Sequence, residues 1–500
     1  MTTIQYLSLS KAQRFGVKFL QFFKNIGRGF VAFFKRLPHK FMMWGHKLSR
    51  PFHVLYDAAA RGTWFTRANF LVFGFSQLFH REIIRGVLYL LYEVVFLWFF
   101  FSVGIPYLEK FTTLGTFSTT NIGPDGVAIA GGDSSMYIML YSLVTIFFLI
   151  IFVVLWYFSI RDAKSLQDNI AVGHLSKNTQ VLKDLTDKSY HVLMLAIPLV
   201  GLTAFTIIPI VFMIIVGFTN YTGTPHADLF DWVAFDNYAS FFGSISGGGQ
   251  MANIFLKVLA WTLLWALIAT LTNYFLGMVI ALLINRKGIK LKKLWRTILI
   301  TTIAVPQFVS LLLINQMLAK NGILTRLFAD WGWVANNTSP FESNVLLSRV
   351  IIIIVNMWVG VPYTMLICSG LLMNIPEDLY ESARIDGASA WKMYMKITLP
   401  YMLFITMPYL ISQFVGNINN FNIIYLLSQG EPKFAGSESL GNVGQTDLLI
   451  TWIYKMSMGE SSQKYAMACV LGLIVFVIIA FLSLLFYGRS SSVKNEGDFQ

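Results

Sequence analysis

A handful of polar residues inside otherwise apolar stretches are the ones able to handle a ligand. Asn356, Gly360 and Tyr363 stand at i, i+4 and i+7, on one face of a helix. Gln413, Gly416, Asn417 and Asn420 repeat helical spacing farther along, with Asn419 one step off, and Gln307 follows Pro306 in a third stretch. A side-chain amide both donates and accepts, as does a phenol. Such groups pair with the vicinal hydroxyls of a sugar, while an aromatic face covers its C–H surface. Amides on three stretches are read as lining a sugar-sized polar cavity. The competing reading gives each amide an interhelical hydrogen bond, worth about 0.6 kcal/mol.

None of these groups makes or breaks covalent bonds. The sequence has no phosphate-cradling G-x4-G-K-[ST] loop, no H-E-x-x-H and no G-x-S-x-G elbow. Its histidines (39, 46, 53, 80, 174, 191 and 226) are scattered, and its two cysteines, Cys368 and Cys469, lie in apolar runs. No metal site, disulfide or cofactor is expected, and the chain is not expected to be an enzyme. Ion conduction would call for carboxylates or arginines inside the apolar runs. These are nearly free of them, Glu93 being the main exception, read as structural or interfacial.

A second group of residues suits mechanical coupling. Glu381, Ser382, Ala383, Arg384, Asp386 and Gly387 interrupt two apolar stretches that could each cross a bilayer, and nine residues separate Gly387 from Ile397-Thr398-Leu399-Pro400. Charges so placed must face water or a partner protein. Gly387 is expected to permit a turn, or a close approach that a Cβ would obstruct.

The elements that carry these residues follow from hydropathy. Only 13% of residues are charged, about half the share of a soluble domain, so the chain is an all-α integral membrane protein. Eight runs reach the length of a transmembrane helix, at roughly 86–108, 136–160, 191–217, 254–285, 296–319, 347–373, 397–418 and 464–488. An even number puts both termini on one side. Arg161, Lys164, Lys177, Lys183 and Lys188, and the Arg286, Lys287, Lys290, Lys292, Lys293 turn, make that side cytoplasmic, together with the Glu381 loop. The alternate segments, such as 112–135 and the glycine-rich 243–250, read as external loops.

Three regions result: a basic region at 1–85, a hairpin and linker at 86–190, and a six-helix domain at 191–500 with its coupling segment near 374–391. Residues 1–85 hold 14 Lys/Arg against Asp57 and Glu82, so nearly all of the net charge of +13 sits there. Because the cations alternate with Phe19, Phe22, Phe23, Phe30, Phe33 and Phe34, an anionic membrane face is the expected partner and not nucleic acid. No cleavable signal peptide is read in it.

Several of these motifs carry a resemblance. Tyr380 to Pro400 is similar to the E-A-A-x3-G-x9-I-x-L-P loop of ABC importer permeases, with Ser382 in place of one alanine. Asn356–Tyr363 (N-x-W-x-G-x-P-Y), Asn417–Phe421 (N-x-N-N-F) and the later Thr446-Asp447-Leu448-Leu449 resemble the larger membrane subunit, the MalF type, of maltose/maltodextrin ABC importers. The resemblance covers about the last 310 residues. It implies sugar contacts at Asn356, Gly360, Tyr363, Asn417 and Asn420, and a departure from the family pattern at Ile303, Gln307, Gln413 and Gly416. It further implies a homologous second permease, two copies of a cytoplasmic ATPase and an extracellular solute-binding protein. In Gram-negative relatives a large domain follows the third span. Residues 218–253 are too few for one, which points to a Gram-positive plasma membrane.

The expectation is a permease moving maltodextrin-type oligosaccharides by alternating access. Another oligosaccharide, or glycerol phosphate with its need for pocket cations, is the alternative cargo. A membrane scaffold with no transport path is the alternative from a different class.

Overall fold

The structure is a computed structural model that describes residues 51–116, 132–173, 187, 190–223, 226, 228–286, 288–459 and 463–487, without the side chains of 191–193 and 486–487. Phe19, Phe22, Phe23, Phe30, Phe33 and Phe34, together with Lys177, Lys183, Lys188 and Lys287, lie outside the described residues. Every apolar run of the sequence is helical. The spans are α1 (Ile83–Lys110), α2 (Ser135–Ala171), α3 (Met194–Val216), α4 (Gln250–Asn285), the pair α5 (Lys292–Ala304) and α6 (Gln307–Met317), α7 (Val345–Leu372), α9 (Ala390–Ile418) and α11 (Tyr465–Leu485). Between them lie α8 (Glu377–Ile385), after α7, and α10 (Leu449–Met458), before α11.

The 296–319 run is not one straight span. Its two halves meet at an angle of 82°. Pro306 has no N–H to continue the helix and forces Val305 into an extended conformation (φ −81°, ψ 123°). Among the described residues seven helices are therefore long and apolar enough to cross a membrane, and the bent pair makes eight. Prolines leave a second mark. The π-helical turns Phe100–Gly104, Thr203–Ile207 and Tyr394–Thr398 each end two residues before a proline, Pro106, Pro209 and Pro400. A wider turn accommodates the ring that would otherwise strike a preceding carbonyl.

The chain forms two compact units. One comprises Met1–Thr112 and Met139–Ile208, the other Thr113–Ile138 and Pro209–Gln500. The division falls inside α3, at the π turn before Pro209. In the second unit α4 is the axial element. Ile254, Phe255 and Val258 pack with Trp452, Met456 and Leu471; Trp261, Trp265 and Ala269 with Leu311, Ile352 and Ile424; Tyr274, Met278 and Ala281 with Met365, Cys368 and Met402. The glycine-rich 243–250 segment is shorter as a loop than its composition implies. Helix Asp236–Ser246 runs into it, and Gly248 (φ +66°) and Gly249 make the turn into α4.

Candidate functional site

The polar residues meet around α4, between α7 and α9. A cleft of about 190 Å³ is lined by Thr270, Asn273 and Tyr274 of α4, Thr364 of α7, and Tyr409, Leu410, Gln413 and Asn417 of α9. That figure takes in space open to solvent; the enclosed free space is about 10 Å³, room for about one water molecule, so the walls stand close together in this conformation. Asn417 Nδ2 donates to Thr270 Oγ1 (3.0 Å), and Trp265 Nε1 donates to the Asn417 carbonyl (3.1 Å). Tyr274 OH lies 2.8 Å from Thr406 Oγ1, and Thr364 Oγ1 lies 3.4 Å from Tyr409 OH.

Two amide atoms in this neighbourhood have no partner among the described residues. Asn273 Oδ1 and Asn356 Nδ2 are both buried and unbonded. Unpaired polar atoms are uncommon in folded interiors, and each costs about 1–3 kcal/mol. Gly360 abuts Asn273 closely enough that any Cβ would collide with the Asn273 amide. Among the described residues no charged side chain lines the cleft, which suits a neutral, hydroxyl-rich ligand better than an anion or a cation.

The sequence-derived residues divide into two sets. Gln413 and Asn417 line the cleft itself, and Asn356 and Gly360 sit behind it, Gly360 against Asn273. Tyr363 is half exposed on α7, Gln307 opens α6 beyond the bend, and Asn420 stands just before the short helix after α9, with no capping bond from its side chain. None of these three lines the cleft. The polar stripes of the sequence lie on α7 and α9, with Gln307 on a third stretch; α4 packs against both and contributes three lining residues that sequence reasoning missed. The signal was present: Thr270, Asn273 and Tyr274 follow i, i+3, i+4 in an apolar span, and Thr406 and Tyr409 extend the Gln413–Asn417 stripe backwards.

The coupling segment folds as a short exposed helix. Glu377 and Asp378 occupy the first turn of α8 and Arg384 the last, each matching the helix dipole. Asp386, Gly387 and Ala388 N–H groups close the end on the carbonyls of Ser382, Arg384 and Ala383. Gly387 has φ +71°, and a Cβ added there would meet nothing within 4 Å. The turn, not a close approach, is what requires glycine there. Glu381, Ser382, Arg384 and Asp386 are exposed, as are Ile385 (87%) and Trp391 (70%). Tyr380 OH, 2.8 Å from Thr398 Oγ1, ties the helix to the start of α9.

A further polar cluster gives a role to Asp447. Its fully buried carboxylate accepts from Gly444 N (2.7 Å), Thr451 Oγ1 (2.8 Å) and Lys455 Nζ (2.7 Å). Burial pushes the Lys455 ammonium below its ordinary pKa, while the Asp447 charge opposes that shift. A Cβ on Gly430 (φ +82°) would strike this carboxylate. The cluster pins the 429–447 loop to α10.

Known proteins are similar to this sequence over most of its length. MdxF of Bacillus subtilis, a maltodextrin transport system permease protein, is 32% identical over 435 residues, covering 85% of this chain and 94% of that one. GanP of the same organism, a galactooligosaccharides transport system permease protein, is 31% identical over 439 residues, covering 85% and 96%. MalC of Streptococcus pneumoniae, another maltodextrin permease protein, is 29% identical, covering 85% and 95%. Residues 273–491, from the cleft asparagine through α11, match the family described as binding-protein-dependent transport system inner membrane component. The chain belongs to that family and is a multi-pass permease of the ABC transporter type.

Proposed function

We propose that this chain is the sugar-holding permease of an ATP-driven importer for maltodextrin-type oligosaccharides. The observation that carries the reading is the pair of amides with buried, unpartnered atoms, Asn273 and Asn356, near an uncharged cleft where α4, α7 and α9 meet. A sugar hydroxyl can satisfy both an amide oxygen and an amide N–H. Asn417, Gln413, Asn356 and Gly360 are assigned to the path, with Asn273 added from the structure. Tyr363, Gln307 and Asn420 contact the sugar in the conformation that opens the cleft. Both termini lie in the cytoplasm of a Gram-positive cell, and residues 1–85 form a basic region ahead of the hairpin at 86–190 and the permease domain at 191–500.

The partners follow from the same reading: a homologous second permease, two ATPase copies docking on α8, and an extracellular binding protein. Exposed Ile385 and Trp391 supply an apolar contact and Glu381, Arg384 and Asp386 its charged border. Gly387→Val should keep the chain inserted but abolish sugar-stimulated ATP hydrolysis, because a β-branched residue at φ +71° is strained by about 1–3 kcal/mol. Gly387→Asn, which tolerates that conformation, should retain most activity. Equal activity of the Val variant and the parent would remove α8 from the coupling path.

The cargo is tested by sugar-stimulated ATPase activity of the co-purified complex in liposomes, across maltotriose, galactobiose, raffinose and glycerol phosphate. Stimulation by maltotriose alone supports the reading. The similarity to GanP, as extensive as that to MdxF, favours galactooligosaccharides as the second candidate, and stimulation by galactobiose alone would establish it instead.

A further inference from the structure

Residues 63–82 precede α1, and their partners on α2 follow an orderly course. Thr63 N and Thr66 Oγ1 donate to Gln167 Oε1 (2.9 and 2.8 Å). Asn69 Nδ2 then donates to the Ser159 carbonyl (3.1 Å), Trp156 Nε1 donates to the Phe70 carbonyl (3.1 Å), and the Phe73 ring lies 4.8 Å from that of Phe152. From there the order reverses: Gly74 N returns to Ser159 Oγ (3.0 Å) and Gln77 Nε2 to the Ser159 carbonyl (3.1 Å). The segment climbs α2 from Gln167 to Phe152, about 22 Å of helix, and comes back down.

The charged groups set the level from which it climbs. Arg85 pairs with Glu82 (3.3 Å) and Asp162 (3.8 Å), and Tyr89 OH donates to Asp162 (3.1 Å). At the turn, Phe73 N donates to the carboxylate of Glu93 (2.8 Å). Glu93 lies about 12 Å along α1 from Arg85, against a hydrocarbon half-thickness of about 15 Å.

We propose that Trp64–Glu82 is a re-entrant hairpin whose tip, Phe70–Gly74, is immersed in the acyl chains of the leaflet on the Arg85–Asp162 side. Irregular backbone persists at that depth only if its polar groups find protein partners. Here Phe73 N has Glu93, Gly74 N has Ser159 Oγ, and Ser76 N has Asn69 Oδ1 (2.6 Å). Glu93, the one carboxylate that hydropathy leaves unexplained, is the cap of this turn. The outward side is apolar at the tip: Leu71 is 83% exposed, and Val72 is exposed with it, as are Trp64 and Phe79 lower down; exposed Arg67 reaches back from the tip to the Ala60 carbonyl (3.0 Å). Exposed Arg61 and Arg81 stand at the two ends of the hairpin, where phospholipid phosphates would meet them.

The test is spin-label depth measurement on the full chain in phospholipid vesicles with an anionic component, in a Cys368→Ala, Cys469→Ala background. Labels are placed by Leu71→Cys, Val72→Cys, Val94→Cys as a lipid-facing reference on α1, and Arg61→Cys as a surface reference. Relaxation by oxygen is compared with that by a water-soluble nickel chelate. Oxygen preference at Leu71 and Val72 equal to that at Val94, and several-fold above that at Arg61, is expected. Nickel preference at Leu71 with oxygen preference at Val94 would overturn the proposal by placing the tip in water. Low access to both reagents would equally overturn it, because protein and not lipid would then cover the tip. Glu93→Leu combined with Leu71→Cys should shift the tip toward nickel access, and Glu93→Gln, which still accepts from Phe73 N, should not. An unchanged depth in Glu93→Leu removes the carboxylate from its capping role.

Discussion

Two polar clusters in the permease unit are buried to a similar degree and differ in one respect. At Asp447 every carboxylate oxygen is bonded: Oδ1 to Thr451, and Oδ2 to Gly444 N and Lys455. Around α4 the amides of Asn273 and Asn356 each leave an atom unpaired. Folding favours closure of buried polar networks, because a half-satisfied network is worse than an apolar core. A saturated cluster is therefore architecture, and an unsaturated one at a cleft is waiting for something else to complete it. The contrast separates residues that hold the 429–447 loop from those proposed to hold cargo.

The largest effect should come from opening the saturated cluster. Asp447→Ala removes the carboxylate that the largely buried Lys455 ammonium meets at 2.7 Å, while the Gln429 carbonyl still accepts from it. Removing one member of a buried pair costs about 3–5 kcal/mol. The purified complex should lose much of its thermal stability, read as the temperature at which its monodisperse elution peak disappears. The double variant Asp447→Leu, Lys455→Met removes both charges and should recover most of the loss. If Asp447→Ala melts like the parent, saturation is no guide to architecture here.

A smaller, differently directed effect is expected at Asn417. Its amide donates to Thr270 Oγ1, but Thr270 also donates to the Ala266 carbonyl (2.7 Å), so Asn417→Ala orphans no helix group. The Trp265 bond to residue 417 goes to backbone and survives. Stability and assembly should stay near the parent. Sugar loses a hydrogen bond in a dehydrated site, about 1–3 kcal/mol, so half-maximal stimulation of ATP hydrolysis should need roughly tenfold to a hundredfold more sugar. Failure to assemble would convert Asn417 into a packing residue and erase the distinction between the clusters.

How much of this can be read in the sequence varies with the physics involved. Spans are legible because the cost of unsatisfied backbone in lipid forces long apolar helices; all eight runs are helical, from Ile83 to Leu485. The α8 turn at Gly387 is legible because a positive φ selects glycine. Helix adjacency is not. Asn356 and Asn417 each lie on a polar stripe, but periodicity gives a face and not the neighbour it meets, so it does not place α4, with Thr270, Asn273 and Tyr274, against both. The bend at Pro306 escapes for a related reason, since hydropathy averages across a break. Glu93 reads as peripheral because its partner, the Phe73 N–H, belongs to backbone and leaves no trace in side-chain patterns.

The smallest effect is the sharpest test of the contrast. Asn356 is buried, and its Nδ2 has no partner among the described residues. Asn356→Leu keeps the branch at Cγ and the number of heavy atoms, and replaces the unpaired amide with apolar surface next to Val355 in the chain. Replacing an unsatisfied polar group by an apolar one of similar shape is neutral or stabilising. The variant should melt at or slightly above the parent, by no more than about 1 kcal/mol, while sugar-stimulated ATP hydrolysis falls. Leucine at Asp447 alone must do the reverse and melt far lower, since its partner Lys455 stays behind. Asn356→Leu melting well below the parent would mean that the amide has a structural partner after all, and that its open valence is not reserved for cargo. A stable variant with unaltered sugar response would instead leave Asn273 as the amide that the cargo completes.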